Sequence, residues 1–396
     1  MAGRRRVSGS SVIALCLLLV SLVACGGGPV TDSATAEVQR LLDRRAAAVL
    51  DRDAGAYAAT GTRAGYSELR SVPLDAWSYR VRAVSTAAGS ATAEVDLRYR
   101  LTGHDRGPVS TARTVQLSRE GDGGWRVDSD RPAPESAEQP WDQGTVRVVN
   151  GTHSLVLGAG RSTAALRPFA ELADRAVPAV SDAWDADWSR SVVVLVPGSL
   201  RDMAALLGSP ASSYRGIAAV TTGETGGPAD APADRIIVNP DAYALLGSHG
   251  RQVVLTHETT HVATRAHTTP ATPLWLSEGF ADWVGYRDGD RTPRQAAPEL
   301  ARAVADGRLP DALPTDDDFA FTGDAAELAL AYESGWTACR MIADRWGEDR
   351  LTAFYRAVGA HDRREGAVEH ALTTVLHTTP ARFTADWHSH LRAEFG

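Results

Sequence analysis

The sequence predicts an α+β fold in two parts, and three observations carry that expectation. Between residues 37 and 130 one helical run precedes several segments of strict apolar–polar alternation, the order of a helix laid on an antiparallel sheet. Residues 131–144 then hold three prolines and little that is apolar, which reads as an interdomain linker. Beyond them the pattern changes to short apolar strands and, from about residue 242, to nearly continuous helix. A length of 396 residues also exceeds the usual span of one core.

Taken in order, residues 1–24 have the make-up of a signal. Arg4-Arg5-Arg6 is followed by the apolar run Val12 to Val20 and then by small residues. The run is shorter than the roughly 20 residues a membrane span needs. Leu22-Val23-Ala24-Cys25 resembles a bacterial lipobox. That resemblance implies cleavage before Cys25, a diacylglycerol on its sulfur, and an extracytoplasmic protein held at the cell membrane by lipid. The other reading is an ordinary secretory signal with an incidental cysteine. Gly26-Gly27-Gly28 fits a flexible tether over residues 25–36.

In residues 37–130, Val38, Leu41, Leu42, Val49 and Leu50 recur at helical spacing over 37–60. Trp77, Tyr79, Val81 and Ala83 alternate with polar residues, as do Ala93, Val95, Leu97, Tyr99 and Leu101. Val115 and Leu117 continue the pattern, and Gly123-Gly124 leads into Trp125-Arg126-Val127. A helix followed by such a meander resembles the NTF2-like fold, in pattern and not in motif. No acid–base pair stands out here, so a packing, spacing or binding role is expected.

In residues 145–396, Val146 to Val149 and Ser154 to Leu157 read as strands joined at Asn150-Gly151, a hairpin signal. A helix is expected over 161–184, a buried strand over 192–196 and a short helix over 200–207. Strands follow near Ile217 to Val220 and Ile236 to Val238.

Composition narrows the chemistry. A net charge of −8 argues against a nucleic-acid binder working through a basic face. All 41 basic residues are arginine, which rules out a catalytic lysine, a Schiff base or a P-loop lysine. With few Asn and Ile as well, this reads as a GC-rich, actinobacterial genome. Three cysteines cannot staple a chain of this size, and with Cys16 lost in the signal and Cys25 acylated, Cys339 stands alone as a buried, inert thiol.

The segment that carries chemistry is His257-Glu258-Thr259-Thr260-His261, set among apolar residues at helical spacing. Residues i and i+4 share one helix face, so His257 and His261 can offer two imidazole nitrogens to one metal ion. Glu258 lies beside that face, in reach of a metal-bound water as a general base. Zinc suits imidazole and carboxylate ligands, and a catalytic site uses three of them. Glu278, in Trp275-Leu276-Ser277-Glu278-Gly279-Phe280-Ala281-Asp282, is the candidate third ligand on a return helix after Pro270 and Pro273. Asp282, four residues on, can accept the free ring N–H of a ligand histidine.

These residues resemble the gluzincin metallopeptidases, closest to the peptidase MA-like group related to thermolysin and aminopeptidase N, over roughly residues 145–396. The resemblance implies a zincin-like fold, Zn²⁺ held by His257, His261 and Glu278, Glu258 as the base, Asp282 supporting a histidine, and a peptide or protein substrate. The interval before Glu278 is shorter than in the better-known relatives, so the connecting loop must be tighter. Ala331-Tyr332-Glu333-Ser334-Gly335 is similar to the helix start that, in aminopeptidase N-like enzymes, supplies an oxyanion-stabilising tyrosine, which marks Tyr332; packing in the core is the other reading. The Gly-x-Met-Glu-Asn strand of those enzymes has no counterpart before His257, which favours an endopeptidase over an aminopeptidase. An edge strand in that region can still pair with an extended peptide.

The resulting expectation is a lipid-anchored zinc metallopeptidase outside the cell, with no nucleic-acid partner. The alternatives are a non-catalytic envelope lipoprotein that uses a zincin-like fold for binding, and a zinc hydrolase acting on a non-peptide substrate. His249 is expected to cap the ligand helix. His267, His370, His377, His388 and His390 are expected to be solvated or structural, and Trp275 and Trp283 to be core. Asp316-Asp317-Asp318 reads as a solvated loop or helix N-terminus, with calcium binding the weaker reading.

Overall fold

The computed structural model describes residues 30–119, 123–223, 230–320 and 324–396. The signal over 1–24, Cys25 and the triglycine lie outside the described residues.

The chain opens with helix α1 (Val30–Leu50), which breaks at Asp51–Asp53 and resumes as α2 (Ala54–Ala59). The break has a local cause. Arg52 takes a left-handed φ of 57°, and the Asp53 side chain caps α2 by accepting from Gly55 and Ala56. A single helix over 37–60 and a flexible tether to residue 36 therefore both need correction: helix begins at Val30 and is interrupted at 51–53. After α3 (Tyr66–Leu69) come β1 (Leu74–Ala87), β2 (Ser90–Leu101), β3 (Val109–Ser118) and β4 (Arg126–Pro132), an antiparallel meander in that order. The alternation reads through to burial. In β2, Ala93, Val95, Leu97 and Tyr99 face the core while Glu94 and Arg98 are exposed.

The proline-rich stretch 131–144 is packed against its neighbours. Trp141 is 6% exposed, with ring centroids 5.2 Å from Trp77 and 4.9 Å from Tyr99. The Tyr99 hydroxyl donates to Gln139 at 2.6 Å, and the buried Arg113 bridges Asp130 and Asp142. The apolar groups that the linker carries are few but large, which is why its composition looks open and its structure is not.

The second sheet holds β5 (Val146–Asn150), β6 (Ser154–Ala159), β7 (Val192–Leu195), β8 (Ala219–Thr221) and β9 (Arg235–Val238), in the order β5-β6-β7-β9-β8. β5 and β8 pair antiparallel with their neighbours, and the other pairs are parallel. The crossover from β6 to β7 is α4 (Thr163–Ala183), capped by Ser162. Helix α5 (Leu200–Leu207) follows β7, and α6 (Pro240–Ala244) follows β9. One face of this sheet shares an apolar cluster with the first: Leu155, Leu157, Val193, Leu195 and Ile237 pack in the same core as Leu97, Tyr99 and Trp141.

The remainder is helical: α7 (Ser248–Thr264), α8 (Leu274–Tyr286), α9 (Pro293–Ala296), α10 (Pro298–Ala305), α11 (Ala325–Trp346), α12 (Glu348–Gly359), α13 (Ala367–Thr374) and α14 (Pro380–Phe395). Their core is built on fully buried Trp184, Phe280, Tyr355, Phe383 and Trp387, each contributing about 1.5–3 kcal/mol of burial. The acidic run forms a short 3₁₀ turn, Asp316–Phe319, with Thr315 and Asp318 in a reciprocal cap. Among the described residues no helix is long and apolar enough to cross a membrane.

Candidate active site

Helix α7 packs on α4 and α8 and lies beside β8, with eight of its 17 residues buried. Thr256, Thr259, Thr260 and Thr264 fill its core-facing positions, which is why the segment carries less apolar character than its burial would suggest. Its start is Gly247, with no side-chain cap; His249 does not cap it, and the His249 Nε2 has no hydrogen-bond partner among the described residues. The expected cap fails because His249 sits inside the first turn, beside the Tyr286 ring.

The chain returns through a short 3₁₀ turn, Arg265–His267, and a loop that is held tightly. Thr268 hydrogen-bonds the Tyr355 hydroxyl at 2.7 Å, and Thr269 donates to the carbonyl of Gly359 at 2.9 Å. A Cβ on Gly359 would stand 1.9 Å from the His267 carbonyl oxygen, so α12 presses directly on the loop. Pro273 then starts α8, which runs back antiparallel to α7, with the Leu274 N–H accepted by Asp316 at 2.9 Å.

That return places Glu278 and Asp282 over the two histidines. Nε2 of His257 and Nε2 of His261 stand 3.0 Å apart, and Oε2 of Glu278 is 3.2 Å from the first and 3.4 Å from the second. Nδ1 of His257 meets Oδ1 of Asp282 at 2.8 Å. Since Asp282 accepts from Nδ1, the Nε2 lone pair of His257 turns toward His261 and Glu278. Among the described residues this is the one group of three side chains spaced to hold a metal ion.

The electrostatics describe the same cage. Burial alone would depress His257, but the charge and hydrogen bond of Asp282, together with Glu278, hold it well above the ordinary imidazole value. Burial would raise Glu278, but His261 and His257 hold it well below the usual carboxylate range. Two ring nitrogens and one carboxylate oxygen thus converge on a point that favours positive charge. A divalent cation fits that donor set of two imidazoles and one carboxylate.

Glu258 is 7% exposed and faces β8. Its Oε2 accepts from the Thr221 hydroxyl on β8 at 2.6 Å. Helix α11 lines the site through Leu328, Ala329, Tyr332, Glu333 and Trp336. A Cβ on Gly279 would lie 2.3 Å from the Gly335 carbonyl oxygen, and one on Gly335 would lie 2.6 Å from that of Trp275. The two helices therefore cross backbone to backbone, and Tyr332 is carried to the cage. Burial, then Glu278, Asp282 and Glu258, push the Tyr332 phenol well above its ordinary value, so it stays a neutral donor. Its ring packs on Phe319 at 5.1 Å, and its hydroxyl has no hydrogen-bond partner among the described residues. The next residue, Glu333, accepts the N–H groups of Leu300 (2.6 Å) and Glu299 (3.3 Å) at the start of α10. Burial lifts its carboxyl to about 7 despite those bonds.

These groups share one cleft of about 1060 Å³. Gly216 to Thr221 form one wall, and β8 is the edge of its sheet among the described residues, bonded to β9 on one side. The structure thus brings His257, Glu258, His261, Glu278, Asp282 and Tyr332 together at one cleft. Cys339 is fully buried, its thiol pushed up by burial, and away from that cleft. Trp275 and Trp283 are core. His267 packs edge-on to Trp184, and His388 bonds the Pro310 carbonyl. Thr221 and Glu333 were not singled out from sequence. Thr221 lies 37 residues before its partner, with no local motif; Glu333 was visible only as the neighbour of Tyr332.

No family model matches this chain, and no curated protein matches it. Similar solved structures include a two-domain M1 zinc metallopeptidase variant bound to L-arginine, at 13% identity and a TM-score of 0.36, covering 69% of this chain and 59% of that one. An M1 zinc metallopeptidase from Deinococcus radiodurans aligns at 14% identity and a TM-score of 0.35, covering 78% and 61%. A variant of that organism's M1 zinc metallopeptidase with a Tyr-Ser-Ala substrate aligns at 12% identity and 0.36, covering 77% and 90%. The chain spans about three fifths of the length of the first two.

Proposed function

We propose that this protein is a zinc-dependent metallopeptidase that cleaves internal peptide bonds, tethered outside the cell by lipid on Cys25. The observation that carries the reading is the convergence of His257, His261 and Glu278 on one point, with Glu258 and Tyr332 lining the same cleft. His257, His261 and Glu278 would hold the zinc, with Asp282 fixing the tautomer of His257. Bound there, zinc supplies Lewis-acid activation of a water and charge stabilisation for the reacting carbonyl.

The chain's own groups do the rest. Glu258 accepts the proton of the attacking water and returns it to the leaving amine. Thr221, donating to one carboxylate oxygen of Glu258, fixes the carboxylate's plane and leaves the other oxygen for that proton. Tyr332, kept protonated by burial and by its acidic surroundings, donates a hydrogen bond to the oxygen that gains charge. The free edge of β8 pairs with an extended substrate backbone, which suits an internal bond better than a captured terminus.

The test is Glu258→Gln in the full chain. Zinc content should stay at one equivalent, while hydrolysis of an unstructured protein such as casein falls by about 10²–10⁴. Full activity in the variant, or no zinc in the unaltered protein, would overturn the reading.

A further inference from the structure

Asp105 lies in the turn between β2 and β3, far from the cleft in sequence, and its side chain has no exposed surface. It takes both terminal nitrogens of Arg235 at 2.8 and 2.9 Å. The same carboxylate accepts the N–H groups of Leu101 at 2.7 Å and Ala233 at 3.0 Å, so both of its oxygens are fully engaged. The turn is seated closely around this pair. A Cβ on Gly107 would stand 1.9 Å from the Asp230 carbonyl oxygen, and His104 bonds Ser191 at 3.0 Å.

Arg235 is the first residue of β9, and its backbone makes the outermost rung to the β8 side. Its N–H donates to the Thr222 hydroxyl at 3.0 Å, and its carbonyl accepts the Thr222 N–H at 2.8 Å. From the other side, Arg265 at the end of the histidine helix bonds Asp234 at 2.9 Å and the Thr222 carbonyl at 3.2 Å. Thr221, next to this rung, holds Glu258. A three-residue edge strand bonded on one side has few rungs of its own to fix its position. A buried, bidentate, fully satisfied ion pair has one geometry, and breaking it strands a charge.

We propose that the N-terminal module takes part in the reaction: through Asp105 and Arg235 it sets the position of the edge strand that binds the substrate backbone. Asp105 is a positioning residue, not a catalytic one. The kinetic part of this inference rests on the peptidase reading above; the structural part does not.

The experiment uses the zinc-loaded full chain and Asp105→Asn, which keeps the shape and removes the charge. Hydrogen exchange read by mass spectrometry should speed at least tenfold over 219–223, while β1, residues 90–98 of β2, β3 and α8 stay within twofold. For an octapeptide, kcat/KM should fall about tenfold, chiefly through KM; for a blocked dipeptide, too short to lie along β8, it should fall less than twofold. Unchanged exchange at 219–223, a uniform rise along the whole chain, or equal losses on both substrates would overturn the proposal. Should Asp105→Asn fail to fold, exchange of the unaltered protein in mild denaturant decides: 219–223 and 99–106 should open as one event, and separate openings refute it. Should the unaltered protein cleave no peptide, the peptidase reading fails, and the exchange measurements still decide the positioning role.

Discussion

Asp282 offers the sharpest test of the cage, because its effect is on metal affinity and needs no substrate. Its Oδ1 accepts from His257 Nδ1 at 2.8 Å, and the two side chains are only 16% and 13% exposed. A hydrogen bond to a charged group at such a site is worth about 1.5–3 kcal/mol. At about 1.4 kcal/mol per factor of ten, Asp282→Ala should weaken zinc binding roughly ten- to hundredfold. Asp282→Asn keeps an oxygen for the ring N–H but loses the charge, so its loss should be smaller, about three- to tenfold. Competition against a chelator of known affinity, at one fixed pH, measures both variants directly. The expected order is unaltered protein, then Asn, then Ala. Binding by Asp282→Ala within twofold of the unaltered protein, or binding by Asp282→Asn weaker than by Ala, would refute the assignment of Asp282 as the support of His257.

Three further outcomes follow from the same geometry. Tyr332→Phe should keep zinc and lower kcat by about 10²–10³, with KM little changed; a change of less than threefold would return Tyr332 to a packing role. Thr221→Val removes the donor to Glu258 at nearly constant volume and should lower kcat about tenfold with zinc affinity unchanged, by steady-state kinetics on one peptide. Glu333 has a folded pKa of about 7 against an ordinary 4.5, so the folded state holds its proton more tightly. Its contribution is therefore fully present at low pH and is lost as pH rises from about 4.5 to about 7, by at most about 3 kcal/mol. Glu333→Gln should flatten that part of the stability curve in urea unfolding at saturating zinc, and parallel curves for variant and unaltered protein between pH 5 and 8 would contradict it.

The site was legible in the sequence where it is local, and illegible where it is assembled across the chain. His257 and His261 share a face because they are four residues apart on one helix, and Glu278 and Asp282 repeat that logic on the next. Spacing alone therefore gave the cage once a return helix was granted. Thr221 and Asp105 obey no such period: each meets its partner through the order of strands in a sheet, and that order is set by packing. The helix break at Asp51–Asp53 was missed because the apolar spacing resumes in register beyond it, and the signal lies in φ of Arg52 and the Asp53 cap. The packed linker was missed for the opposite reason. One tryptophan among polar residues leaves no period, yet Trp141 joins the cores of both sheets.

Glycine in the middle of a helix costs about 1 kcal/mol relative to alanine, so Gly279 and Gly335 call for a reason in the folded state. That reason is the crossing of α8 and α11, which no side chain at either position would permit. The crossing fixes more than packing. Glu278 precedes Gly279, so the residue that faces the two histidines is one step from the point of closest approach. Tyr332 lies three residues before Gly335, about one turn back along α11, over that same point. The Glu278 carboxylate and the Tyr332 phenol thus both lie beside one backbone contact. In this light the Glu278-Gly279 and Tyr332-x-x-Gly335 patterns are a single device: each glycine makes room for the other helix, and the acidic and phenolic groups beside them are delivered to one cleft.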